Sequence, residues 1–228
     1  MNPVEVFMVV YGVVITGASA IGITAGLASN PRGNVNKLRR LLKRARRYPI
    51  ASVPQGVARM VGNVRPIDGK VINAPFSRIP CVAHVTVVKR VPVNAATGPT
   101  LMRVVGGVPF ELVDATGSIV IDPSDVECLV TFQIRRDVSR WGATPDTEQF
   151  LVEHGHSWAE VSNQHFLYFE ESVIRHDAQV SLAGIVERTA DVRGAVSGDY
   201  RESPTALHVR GGGKTPLVIS DDLADISG

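Results

Sequence analysis

The residue types best able to do chemistry stand in four short clusters. Cys81-x-x-His84 sets a thiol near an imidazole, the pair that makes a thiolate nucleophile when the two meet. Glu170-Glu171 sets two carboxylates side by side, the group type that general acid and base catalysis draws on. His154-x-His156 has a spacing compatible with a metal ion if it lies on a strand. Gly211-Gly-Gly-Lys214-Thr215 has the composition of a phosphate-binding loop.

Each cluster needs a particular backbone to work, and the local sequence argues against it. A strand turns successive side chains to opposite faces. Cys81 and His84, three apart, are therefore expected on opposite sides, with Cys81 an ordinary buried thiol. Glu170 and Glu171 are expected to face apart, one bonded within the fold and the other solvated, where it offers a contact to a partner. Gly155 between the two histidines reads as a helix stop, which leaves them as surface residues. The glycine cluster lacks P-loop spacing, and no helix follows to present its amide end. Arg135-Arg136 and Trp141 with Phe166, Tyr168 and Phe169 mix basic and aromatic types, but barrel cores use aromatics routinely. Cys81 and Cys128 are 47 residues apart with no CxxC pair, so a zinc ribbon, RING or knuckle is not expected. No catalytic residue, metal ligand or cofactor is assigned.

The elements that carry these residues are mostly short strands. Runs rich in Val, Ile, Thr and Phe are predicted at 56–64, 70–73, 81–91, 101–105, 109–113, 118–121, 126–135, 165–170, 179–187, 206–210 and 217–219. Asp114-Ala-Thr-Gly117 is a hairpin-type turn. One helix interrupts them: Thr144 caps it, Pro145 suits its first position, Phe150 and Leu151 are its buried side, and Gly155 ends it. This pattern predicts a mainly β fold, an antiparallel barrel, OB-like, or a sandwich, with one inserted short helix.

Ahead of the strands lies a different kind of chain. Val6 to Ala28 is 23 residues without a charged side chain, about 34 Å of helix against a hydrocarbon core of about 30 Å. Arg32, Lys37, Arg39, Arg40, Lys43, Arg44, Arg46 and Arg47 follow it with no acid among them. By the positive-inside rule this is a single-pass anchor of the plasma (inner) membrane, N-terminus outside and residues 30–228 cytoplasmic. A disulfide is not expected on that side. The boundaries read as anchor 1–29, basic juxtamembrane segment 30–50, β domain 51–223 and tail 224–228. Residues 34–48 form a basic amphipathic helix with Val35, Leu38, Leu41, Leu42 and Ala45 on one stripe, Asn34 as its cap and Pro49 as its stop. The eight cations are the expected membrane-surface site, attracting anionic head groups by about 1 kcal/mol each. Gly22-x-x-x-Gly26 has the spacing of a helix-dimer motif and offers a route to a homo-oligomer. Outside the basic block, 16 basic residues stand against 22 acidic ones. The basic character of the chain therefore belongs to the membrane junction, and nucleic acid is not an expected partner.

After residue 56 the chain runs through Gly62-Asn-Val-Arg-Pro66, Ala74-Pro-Phe-Ser-Arg-Ile-Pro-Cys-Val82, Pro109-Phe-Glu-Leu-Val-Asp-Ala-Thr-Gly-Ser-Ile-Val-Ile-Asp-Pro123, Glu170-Glu-Ser-Val-Ile174, Val180-Ser-Leu-Ala-Gly184 and Pro216-Leu-Val-Ile-Ser-Asp221. This order of motifs resembles the GIDE domain, the membrane module of mitochondrial ubiquitin and SUMO ligases, also found in prokaryotic proteins. It covers about residues 56–223, in the manner of a prokaryotic-type member without a RING. It implies a β-rich module beside a membrane that recruits a protein partner, here unidentified. It also implies an E3 ubiquitin-like ligase role, but the RING zinc ligands are absent, so such a role needs a RING partner. OB-like binding of nucleic acid at the membrane is the alternative ranked last, since the basic charge belongs to the membrane junction.

Overall fold

The computed structural model describes residues 22–23, 31–96, 98–128, 132–138, 144–161, 165–190, 205–212 and 215–227. Its strands are β1 (Gly56–Pro66), β2 (Ala83–Pro92), β3 (Thr100–Gly107), β4 (Phe110–Val113), β5 (Ser118–Ile121), β6 (Val126–Cys128), β7 (Phe132–Val138), β8 (His165–Ile174), β9 (Gln179–Ala190), β10 (Thr205–Arg210) and β11 (Leu217–Ser220). Two short pairs, Ile72–Asn73 with Pro80–Cys81 and Gly22–Ile23 with Val104–Val105, complete the described ladders.

Five strands close into a barrel in the ring order β1, β4, β5, β10, β9 and back to β1. The β5–β10 pairing is parallel and the other four are antiparallel. Alternation fills the inside: Met60 and Val64, Phe110 and Leu112, Ile119 and Ile121, Leu182 and Val209 are all buried. Each such side chain contributes roughly 1.5–3 kcal/mol on full burial. β9 is long enough to serve twice. Its residues 185–190 pair with β10, and Ser181–Ala183 pair with β11, which β6 extends in parallel.

The stretches between β1 and β4 and between β5 and β9 supply a second sheet, in the order β3, β2, β8, β7. Val85 and Val105 turn one face of it into the barrel core. The other face presents Val88, Met102, Val104, Leu167 and Phe169 to Phe150, Leu151 and Val161. Those last three come from α2 (Pro145–Glu153) and α3 (Trp158–Val161). α2 starts as its sequence predicts. Thr144 Oγ1 accepts from the Thr147 amide, Thr147 Oγ1 accepts from the Thr144 amide, and Gly155 follows at φ +78°.

The basic helix, α1 (Pro31–Arg44), begins earlier and ends earlier than its periodicity predicts. Tyr48 donates its amide to the Arg59 carbonyl and Arg59 donates to the Arg46 carbonyl. Residues 46–48 are therefore extended along β1, which stops the helix before Pro49. Leu38 and Leu42 are buried against Ala183 of β9 and Val218 of β11. Residues 223–227, expected as part of the strand domain's end and a tail, form a short helix, α4 (Leu223–Ser227). It is held by Arg39 to Asp222 at 2.8 Å, by Arg47 to the Ile226 carbonyl, and by buried Arg59 to the Asp225 carbonyl. Buried Asp225 in turn accepts from Ser220 Oγ at 2.8 Å.

Of the expected anchor, only Gly22 and Ile23 are described, and the rest of the predicted span lies outside the described residues. Among the described residues no helix is long and apolar enough to cross a membrane.

Candidate functional site

Two of the described ionisable groups that burial perturbs, Cys81 and His84, lie on the α2 side of the second sheet. On β8, Glu171 lies opposite Thr86 of β2, and Val173 lies opposite His84. Side chains directly opposite share a face, so His84, Thr86 and Glu171 converge. Glu171 is fully buried and accepts two successive amides, Phe76 N–H at 2.9 Å and Ser77 N–H at 2.8 Å. The loop that offers them, 74–79, is closed by Arg78 N–H to the Ala74 carbonyl, with Arg78 at φ +56°. A bulky residue in the left-handed region carries strain, and here the carboxylate holds the loop that contains it.

Cys81 belongs to the same cluster. It packs on Ala74 and Val173, on the Glu171 side. The simple alternation that would separate it from His84 fails because Val82 is a bend between the 80–81 pair and β2. Proximity does not make it a nucleophile. Burial first, and the Glu171 charge second, push the Cys81 thiol up to about 12, so it stays protonated at neutral pH. Burial lowers the His84 imidazole below its ordinary range, and Glu171 offsets part of that. His84 Nδ1 and Thr86 Oγ1 lie 3.4 Å apart. At neutral pH the cluster thus holds a thiol and a neutral imidazole, with no thiolate–imidazolium pair.

His84 forms part of the wall of a cavity of about 280 Å³ between β2, β3 and α2. Phe76, Phe150 and Val104 are its apolar walls, while Arg78, Asp146, Glu153 and His154 are its polar ones. Gly106 lies against the imidazole: a Cβ there would sit 2.3 Å from His84 Nε2. The ring of His154 lies against Phe150 in a tilted pair, centroids 4.4 Å apart, and its Nδ1–H donates to the Phe150 carbonyl at 2.7 Å. The cavity wall on α2 escapes the motif reading because no single motif contains it. The signal is there in spacing, since Asp146, Gln149, Phe150 and Glu153 fall on one helical face.

Glu170 and Glu171 do face apart, but neither is solvated. Glu170 is 3% exposed and pairs with Lys89 on the opposite face of the sheet. His154 and His156 are half-buried. Among the described residues no group of three metal-ligating side chains comes together. In the glycine cluster Gly212 and Thr215 exchange both backbone hydrogen bonds between β10 and β11, and Gly213 and Lys214 lie outside the described residues. Phe169 is core, and the Arg135 and Arg136 side chains and Trp141 lie outside the described residues. Cys81 is a free thiol, and the Cys128 side chain lies outside the described residues.

The expected membrane-surface residues split. Lys37, Arg40, Lys43, Arg44 and Arg46 are exposed. Arg39 and Arg47 are also exposed but reach back to α4, and the side chain of Arg32 is outside the described residues.

Comparison with family models, with curated proteins and with solved structures finds no match for this chain.

Proposed function

We propose that this protein is a membrane-anchored cytoplasmic module that recruits a protein partner to the membrane surface, as the GIDE resemblance implies. The observation that carries the reading is the seating of α1. Leu38 and Leu42 are 5% and 0% exposed under the barrel, so the helix is fixed to the domain by its apolar stripe. Its outward side carries Lys37, Arg40, Lys43 and Arg44. What remains for the bilayer is charge, a contact that anionic lipid strengthens and salt weakens. A barrel clamped to such a helix is held in one orientation at the surface. Beside the clamp, Arg44 and Arg46 border a hollow of about 260 Å³ lined by Leu41, Ala45, Val57 and Val218.

The closed five-stranded ring, with its one parallel pair, supports an OB-like reading of the barrel. The outward residues of β4 and β5 are Glu111, Val113, Ser118 and Val120, with Glu111 tied to Arg65 at 2.7 Å. They offer no ring for a base to stack on, which favours a protein partner over nucleic acid.

The test is made on native membranes. Protease added from the cytoplasmic side should digest residues beyond 50 and spare the anchor. Cross-linking should recover the same partner with the parent chain and lose it when the barrel is cleaved from α1. Residues protected from that side, or no partner together with turnover of a substrate by the purified chain, would overturn the reading. Ubiquitin-like transfer that depends on residues 50–228 would establish the ligase role instead.

A further inference from the structure

The cavity between α2 and the second sheet has the chemistry of a cation receptor with apolar walls. Asp146 and Glu153 stand one above the other on its α2 wall with His154 beside them. Glu153 accepts one bond, from Gln149 Nε2 at 2.8 Å, and among the described residues no cation pairs with it. Among the described lining residues Arg78 is the one Lys or Arg, 3.7 Å from Asp146 and with its side chain 66% exposed, so it answers one of the two carboxylates and from the solvent side. The Asp, Glu and Arg side chains of the described lining therefore sum to a negative charge. Between this wall and His84, Phe76 and Phe150 lie 4.9 Å apart in a tilted pair, with Pro75 and Val104 completing the sides. Apolar walls suit an alkyl stem, aromatic faces attract a cation, and the Glu153 carboxylate is placed to bind its head. His84, kept neutral by burial, adds no opposing positive charge at neutral pH.

We propose that this cavity receives an alkylguanidinium or alkylammonium group, supplied by an arginine or lysine side chain of a partner peptide. The peptide source rests on the recruitment reading above; the cation chemistry does not. Without the cation, the Glu153 carboxylate keeps the Gln149 amide and water, so the helix has no need of the ligand to fold.

The experiment is calorimetric titration of the full chain in detergent micelles with N-acetyl-arginine-methylamide. N-acetyl-citrulline-methylamide serves as the neutral isostere and agmatine as the free cation. The arginine probe should bind saturably, at least tenfold tighter than citrulline. Glu153→Gln, at an exposed position, should weaken it at least fivefold, and Glu148→Gln, on the same helix but outside the cavity, should not. Equal binding of citrulline and arginine, no saturable binding, or an unchanged affinity in Glu153→Gln overturns the proposal. The citrulline arm needs no variant, so a folding defect cannot mask the answer. Agmatine binding tenfold tighter than blocked arginine would overturn the peptide source in favour of a free amine. A chain that binds arginine yet recruits nothing at the membrane refutes the recruitment reading and leaves the pocket standing.

Discussion

Replacing Glu171 by Ala removes an acceptor from two part-buried amides and a charge that acts on both the Cys81 thiol and the His84 imidazole. Hydrogen bonds to charged groups contribute about 1.5–3 kcal/mol net each, and an amide left unsatisfied costs about 1–3 kcal/mol. Relief of the carboxylate's own desolvation offsets part of this. With the two bonds at 2.9 and 2.8 Å, the expected loss is about 3–5 kcal/mol by those magnitudes. In a chain of this size each 1 kcal/mol moves the midpoint by about 2–4 °C. Thermal melting of the full chain in micelles should therefore fall by roughly 6–20 °C. Glu171→Gln, which keeps one acceptor oxygen, should lose about half as much. A second readout separates electrostatics from packing. The Glu171 charge raises both Cys81 and His84, so in Glu171→Gln both groups should titrate lower than in the parent. Thiol alkylation against pH reads the first and imidazole carbon-proton shifts read the second. A melting change under 2 °C in Glu171→Ala, with Cys81 titrating as before, would refute the view that this carboxylate organises the site.

Other outcomes follow from the same geometry. Leu42→Ala should cost about 2–5 kcal/mol, and proteolysis between α1 and β1 should accelerate, since Leu42 is fully buried in the seam. Gly106→Ala should destabilise by about 1–3 kcal/mol and displace the His84 ring, visible as a shift of its imidazole resonances. His84 also sets a pH dependence. Its folded pKa lies below the ordinary value of about 6.5. Its contribution is thus fully present above that value and is lost as pH falls toward the folded pKa. Melting should decline on acidification below about pH 6.5, and His84→Gln should flatten that slope.

Much of the strand pattern was legible because half-buried strands alternate locally, as in Phe110-Glu-Leu-Val113. The closure of the barrel was not. The β5–β10 pairing joins residues 120 and 208, and no local period reports a parallel contact across that distance. The helix over 145–153 was legible from Thr144, Pro145 and Gly155, while the end of α1 was not. It is decided by the bonds of residues 46 and 48 to Arg59. The candidate site shows the same division. The alternation rule separated Glu170 from Glu171 correctly but failed for Cys81 and His84, because one bend at Val82 resets the faces. It also could not foresee that both glutamates find buried partners, one in Lys89 and the other in the amides of 76 and 77.

The seam between α1 and the barrel carries an order of assembly. Leu38 and Leu42 emerge from the ribosome early, yet the surface that covers them includes Val218 and is fastened through Asp222, Asp225 and Ile226. Some 180 residues must be synthesised before the clamp can shut, with non-local pairing slow to form in any case. In the proposed anchored chain the bare stripe spends that interval next to a bilayer, its nearest apolar refuge. The helix would rest on lipid first and be lifted from it by the finished barrel, so completion of folding would itself turn the basic side to the membrane.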